Sequence, residues 1–89
     1  MKAVISVVGR DAVGIIAKVS AVCADCRVNI LDISQSVLSD YFTMIMITDI
    51  KDINIPFAVF VDKMAALGRE NHLEIHAMHE DIFNSMHRI

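Results

Sequence analysis

Two cysteines, Cys23 and Cys26, form a C-x-x-C pair, a spacing that redox and metal sites use. In redox proteins such a pair lies at the amino terminus of a helix, where the helix dipole lowers the pKa of the thiol. Here apolar residues recur at intervals of three and four over residues 15–26, which predicts a helix that ends at the pair. The dipole at that end opposes thiolate formation. We therefore expect both cysteines to pack in the core, with redox or metal use as the alternative.

Three histidines, His72, His76 and His79, lie near the carboxyl end of the chain with Glu74 and Glu80 beside them. The alternation of polar and apolar residues there predicts a strand, on which His76 and Glu74 share one face. His79 faces the other way unless the chain has already turned into a helix. This geometry opposes a metal site, so we expect no bound metal and a solvated or interfacial role for each histidine, with metal binding as the alternative.

A polar loop before the first predicted helix offers a different chemistry, the binding of a small zwitterion. A helix amino terminus exposes unpaired N–H groups with a partial positive charge, and Gly14 lets a ligand approach the backbone there closely. A carboxylate would fit at this point, while Asp11 would accept the ammonium group of the same ligand. Asn29 would offer both a donor and an acceptor. The alternative is structural, with Asp11 as the N-cap residue and Gly14 as a tight packing point.

The elements that would position these residues follow from hydrophobic periodicity. Short β-branched or alternating runs predict strands over residues 2–8, 28–38, 41–50 and 73–77, and helical spacing predicts helices over residues 15–26, 56–67 and 80–89. The alternation slips near Leu31, where we expect a β-bulge. This order predicts one α+β domain over residues 1–89: a ferredoxin-like βαββαβ fold with a four-stranded antiparallel sheet, two helices on one face and a short C-terminal helix over residues 80–89. Right-handed crossovers place the first and third strands in the middle.

The composition indicates an apolar surface that needs a partner. Of the 89 residues 55% are apolar and 21% are charged, with a formal net charge of -3. A domain of this size buries only about 60% of the surface of its unfolded chain, so part of the apolar surface stays outside the core. No apolar run approaches the roughly 18 residues of a membrane span, and no signal-peptide pattern is present. We expect a cytoplasmic protein without membrane contact, and the acidic balance argues against direct nucleic-acid binding.

One face of the predicted sheet needs a cover beyond the two helices. Ile45, Ile47 and Met78 face away from the strand positions that the helices would bury. The tail carries an apolar stripe at helical spacing, made of Ile82, Phe83, Met86 and Ile89. We expect this stripe, from the same chain or from a second copy, to cover that face.

The sequence also resembles a known family. The loop GRDAVG at residues 9–14, the Ile-Ile pair that opens the helix and the run VNILDI at residues 28–33, in this order of elements, resemble the ACT domain, a small regulatory module of amino-acid metabolism. The tail HEDIFNSMHRI is similar to the ending of a family of small, stand-alone ACT proteins, related to the ACT modules of regulators of the glycine cleavage system repressor type. Two residues depart from the family pattern: Gly9 stands where some serine-binding members carry a histidine, and Val13 replaces the usual proline.

The resemblance implies a homodimer whose two sheets join side by side and bind an amino acid or similar small carboxylate at the interface. The implied ligand-binding residues are Arg10, Asp11, Ala12, Val13, Gly14, Asn29 and Ile30. The protein would signal to a regulated partner protein. The chain offers no activated nucleophile and no glycine-rich phosphate cradle, so we expect no catalytic residue, no cofactor and no enzymatic activity. The alternative function is a ligand-free module for protein–protein assembly.

Overall fold

The computed structural model describes residues 1–10 and 13–86, so Asp11, Ala12 and Ile89 lie outside the described residues. The elements in chain order are β1 (Lys2–Gly9), α1 (Ile15–Asp25), β2 (Asn29–Leu38), β3 (Tyr41–Asp49), α2 (Phe57–Glu70), β4 (Glu74–His79) and α3 (Glu80–Met86). This order confirms the predicted ferredoxin-like βαββαβ fold with a short C-terminal helix.

The four strands form one antiparallel sheet in the order β2-β3-β1-β4. The first and third strands therefore lie in the middle, as right-handed crossovers require. The register between β2 and β3 shifts between Ile30 and Asp32, which confirms the bulge expected near Leu31. As a consequence β2 and β4 are the edge strands of the sheet.

The core lies between the sheet and the pair of helices α1 and α2. Ile5 of β1, Met46 of β3 and Phe60 of α2 are fully buried in it. Thr48 is buried as well, and its hydroxyl donates a hydrogen bond to the carbonyl oxygen of Ala3 at 2.9 Å, which satisfies the buried donor. The alternation of buried and exposed residues along the strands thus places both helices on one face of the sheet, as predicted.

The apolar stripe of α1 is narrower than its sequence indicates. Ile15, Val19 and Cys23 are buried at intervals of four residues. Ile16, which the spacing assigned to the same stripe, is 39% exposed because it faces away from the sheet on the first turn.

The short helix α3 contacts β1 and β4. Val4, which faces away from α1 and α2, is only 1% exposed, and Phe83 is half-buried. Ile82 and Met86, however, are 52% and 67% exposed. In one chain the tail therefore covers only part of the second sheet face.

Within the described residues, no helix has the length and hydropathy that a membrane crossing would need.

Candidate ligand-binding site

Gly14 shapes the amino terminus of α1. It is the N-cap residue, with φ 74° and ψ 0°, a left-handed conformation that glycine adopts without a steric penalty. Its carbonyl oxygen accepts the N–H of Lys18 at 3.1 Å, and the first turn of α1 contains no acidic residue. The N-cap position thus belongs to Gly14, which corrects the alternative that assigned it to Asp11. A helix amino terminus capped only by a glycine backbone can accept an anion.

Arg10 lies at the same end of the sheet and is held by an aromatic ring. Its guanidinium carbon is 5.4 Å from the centre of the Tyr41 ring, and its Nη2 is 3.5 Å from the Tyr41 hydroxyl. The contact follows from the register, because Gly9 pairs with Phe42 and so brings the end of β1 beside the start of β3. Val13, in the same loop, is 89% exposed. This contact is a cation–π interaction that holds the guanidinium beside Tyr41.

Asn29 and Ile30 lie at the other end of the sheet. Asn29 is exposed and pairs with Asp49, which in turn pairs with Lys2, the first residue of β1. The two ends of an eight-residue strand such as β1 are about 23 Å apart at 3.3 Å per residue. Within one chain Asn29 and Ile30 therefore lie far from Arg10, at the opposite end of the sheet.

The outer edge of β2, which we call the β2 edge, has little protection against pairing with another strand. Residues 31–38 are all exposed, including Ile33 at 38%, Val37 at 74% and Leu38 at 75%. The strand has the sequence NILDISQSVL, in which Asp32 is the one charged residue. Natural edge strands commonly carry lysine, proline or several charges that prevent such pairing. The β2 edge is therefore suited to accept a further strand.

Tyr41 was not among the residues that the sequence assigned to the site. The signal that could have found it is the antiparallel pairing of the first and third strands, which sets the start of one strand beside the end of the other.

The cysteine pair packs in the core, as expected. Cys23 and Cys26 are 1% and 3% exposed, and both are free thiols. Burial, together with the neighbouring Cys26, raises the pKa of Cys23 to about 11. A thiol with this pKa is protonated at neutral pH and is a poor nucleophile or metal ligand.

His76 and His79 make separate contacts with different side chains. His76 Nε2 lies 3.2 Å from Glu74 Oε2 on the exposed face of β4. The ring of His79 stacks on Phe57 of α2, with the ring centres 4.3 Å apart. Over residues 1–10 and 13–86, no group of three or more His, Cys, Asp or Glu side chains is arranged to hold a metal ion.

The comparisons with known proteins agree with this architecture. A family model described as an ACT domain matches residues 2–76. The chain belongs to the ACT-domain family. A UPF0237 protein of Clostridium perfringens is 49% identical to it over the full length of both chains. ACT domains are commonly regulatory domains that bind a ligand.

Solved structures of ACT proteins superimpose on the chain. An ACT domain protein from Streptococcus pneumoniae matches with a TM-score of 0.81 and 40% identity over 93% of each chain. A putative glycine cleavage system transcriptional repressor matches with a TM-score of 0.66 and 24% identity, covering 85% of this chain and 43% of that one. The similarity to the repressor structure shows that the two chains share a fold.

Proposed function

We propose that this protein is a stand-alone regulatory ACT domain of the cytoplasm, a homodimer that binds an amino acid or similar small carboxylate and signals to a partner protein. The observation that carries the proposal is the β2 edge, a ten-residue strand whose residues 31–38 are exposed and bear one charge. Strands of this kind pair readily with a second strand. A second copy of the same chain would supply the matching edge.

The pairing explains why the two halves of the site lie apart in one chain. When two β2 strands pair antiparallel about a two-fold axis and overlap over their full length, Asn29 of one chain faces Leu38 of the other. Leu38 is paired with Tyr41, at the end of the sheet that also carries Arg10 and Gly14. The dimer would therefore place Asn29 of each chain near Gly14 of the other and create two equivalent sites.

A free amino acid fits the chemistry of such a site. Its carboxylate would bind at the amino terminus of α1, where Gly14 leaves room for close approach. Asn29 of the partner subunit would supply one donor and one acceptor, and Asp11 would accept the ammonium group. The small size of the ligand limits its affinity to the micromolar to millimolar range, at no more than about 1.5 kcal/mol per heavy atom. Such affinities suit the sensing of metabolite pools.

Calorimetric titration against the common amino acids is the first test. The proposal expects at least one of them to bind with a micromolar to millimolar Kd. If none of the common amino acids gives a binding signal at millimolar concentration, the ligand-sensing part of the proposal is wrong.

Subunit complementation with the amino acid that binds then tests the shared site. Gly14→Asp adds a negative charge where the carboxylate would lie, and Asn29→Ala removes the amide, so neither homodimer should bind. In a mixed dimer of the two variants, one site would carry both changes and the other site neither. We therefore expect the mixed dimer to regain half of the wild-type stoichiometry. A mixed dimer that binds as poorly as its parents would place both residues in the same chain's site.

A ligand-free assembly module is the second candidate function. It is favoured by the exposed tail residues Ile82 and Met86, which could pack on another protein. Deletion of residues 81–89 discriminates between the two functions. A truncated protein that stays a soluble dimer and still binds the amino acid would contradict assembly through the tail.

A further inference from the structure

Arg10 and Tyr41 form a side-chain contact beyond the last paired residues of β1 and β3. The pairing of these strands ends with Gly9 opposite Phe42; Arg10 follows Gly9 and Tyr41 precedes Phe42. The guanidinium carbon lies 5.4 Å from the centre of the ring, and Nη2 lies 3.5 Å from the hydroxyl oxygen. Because Tyr41 begins β3 after the turn at residues 39–40, the contact joins the end of β1 to the hairpin of β2 and β3.

The contact lies on the face of the sheet that is opposite to the helices. Met44 is buried under the helices, and side chains alternate along a strand, so Tyr41 points to the other face. The guanidinium group of Arg10 lies beside the Tyr41 ring, whereas Gly14 begins α1 on the face that the helices cover. The guanidinium group and the amino terminus of α1 are therefore on opposite faces of the sheet.

Arg10 has an aromatic partner rather than a charged one. In the part of the chain that the structure describes, its guanidinium group contacts Tyr41 and forms no ion pair. Tyr41 is 46% exposed, and a cation–π contact at such a surface position changes an equilibrium about twofold to fivefold. This is enough to bias the position of the hairpin end, although it is too little to hold the fold together.

Tyr41 also borders the β2 edge. It pairs with Leu38, the last residue of β2, which is 75% exposed. In the proposed dimer Leu38 faces Asn29 of the partner subunit, so Tyr41 lies between that contact and Arg10. A shift of the hairpin end relative to β1 would move Leu38, and it would move Asn29 of the partner subunit relative to Gly14.

We propose that Tyr41 is a positioning residue of the interface site, and that Arg10 anchors it to the end of β1 instead of contacting the ligand. This role rests on the β2 dimer proposed above, and it differs from the ligand contact that the family resemblance implies for Arg10. With its ring held by the guanidinium group, the hairpin end keeps a fixed place relative to β1. Asn29 of the partner subunit then meets the ligand without a prior adjustment of the hairpin, which lowers the cost of binding.

A double-mutant cycle, with the amino acid that titration identifies, tests this role. Arg10→Leu and Tyr41→Leu should each raise the ligand Kd about twofold to fivefold. The double variant should bind no more weakly than either single variant, because both changes remove the same contact. Tyr41→Phe keeps the ring and should recover most of the affinity that Tyr41→Leu loses.

A direct contact between Arg10 and the ligand would give a different pattern. Arg10→Leu would then remove a charge-assisted hydrogen bond and bind at least about tenfold more weakly than Tyr41→Leu, which would overturn the positioning role. Arg69→Leu is the matched control, because it removes the same charge from the last turn of α2. We expect it to leave the ligand Kd unchanged.

The Kd of the dimer, measured by sedimentation velocity without ligand, is the second readout. Arg10→Leu, Tyr41→Leu and the double variant should show the same non-additive loss, since the contact positions Leu38 in the interface. This pattern in a protein that binds no amino acid would support the positioning role, while the ligand-sensing part of the first proposal would fail. Additive losses, or no loss in either Kd, would overturn the positioning role alone. A chain that stays monomeric would overturn both proposals.

Discussion

Gly14 and Asn29 lie at opposite ends of the sheet in one chain, although α1 connects their segments directly. Gly14 caps the start of α1 beside the end of β1, whereas Asn29 begins β2 and pairs with Asp49 at the far end. A ligand that contacts both residues must therefore bind between two chains. The unprotected β2 edge provides the arrangement in which this is possible.

A positive charge on the β2 edge should separate the proposed dimer. Ile33 is 38% exposed in the single chain and lies near the centre of β2, so Ile33→Arg would place an unpaired cation in the interface. We expect the dimer Kd to rise at least about tenfold, measured by sedimentation velocity. Val59→Arg is the matched control, because Val59 is 41% exposed on α2, away from β2. Equal effects of the two substitutions would contradict a β2 interface.

Gly68 should not tolerate alanine, although it lies within a helix. Helix propensity alone predicts that Gly68→Ala stabilises the fold by about 1 kcal/mol. A Cβ at this position, however, would lie 2.6 Å from the carbonyl oxygen of Leu73 and 3.1 Å from the amide nitrogen of Ile75. We expect a net loss of about 1–3 kcal/mol in the free energy of unfolding, measured by urea denaturation. Ala66→Gly, the reverse change in the same helix, should cost about 1 kcal/mol from propensity. A more stable Gly68→Ala protein would refute the close approach of α2 and β4.

Gly9 and Leu73 should be energetically coupled. A Cβ on Gly9 would overlap the side chain of Leu73, which is buried. Gly9→Ala should therefore cost about 1–3 kcal/mol by overpacking, and Leu73→Ala about 2–5 kcal/mol by leaving a cavity. In the double variant the new methyl group enters space that leucine has vacated. We expect the double variant to be more stable than additivity predicts by at least about 0.5 kcal/mol, whereas strict additivity would show that the two residues do not compete for space.

The buried thiol of Cys23 should make stability fall in alkaline solution. Its pKa is raised from the ordinary value of 9.0 to about 11 by burial and by the neighbouring Cys26. Between these values the unfolded chain loses its proton more readily than the folded chain, so ionisation favours unfolding. The stabilising contribution is fully present below pH 9 and is lost as the pH rises toward 11. The free energy of unfolding of Cys23→Ala, measured against pH, should lack this decrease between pH 9 and about 11. The same pH dependence in both proteins would contradict the prediction.

Local patterns were sufficient to predict the fold because each element has a clear period. The slip in alternation at Leu31 marks the bulge, since a strand that changes register must break its period of two. Met44 and Met46 share the buried face for the same reason. The helix of the tail also begins at Glu80, as predicted.

Tertiary contacts and backbone strain could not be predicted from the sequence. Arg27 and His72 both follow helix ends with positive φ, and neither is the glycine or asparagine that signals this conformation. The close approach of Gly9 and Leu73 joins residues that are distant in sequence and meet only in the folded chain. The site itself was predicted as a set of residues, and the physical distance between Gly14 and Asn29 became visible only with the register of the sheet.

Disulfide trapping at Ser34 tests the central claim, that two β2 edges pair about a two-fold axis, most directly. The bulge leaves Leu31 without a partner in the ladder, so full overlap of two Asn29–Leu38 strands puts this axis at Ser34, the middle of the nine remaining positions. A cysteine there would meet its own copy, and native Cys23 and Cys26 are buried. We expect mild oxidation of Ser34→Cys to give a covalent dimer, while Ala58→Cys on the exposed side of α2 stays monomeric on a non-reducing gel. Equal cross-linking of the two variants, or none at Ser34→Cys, would contradict the account.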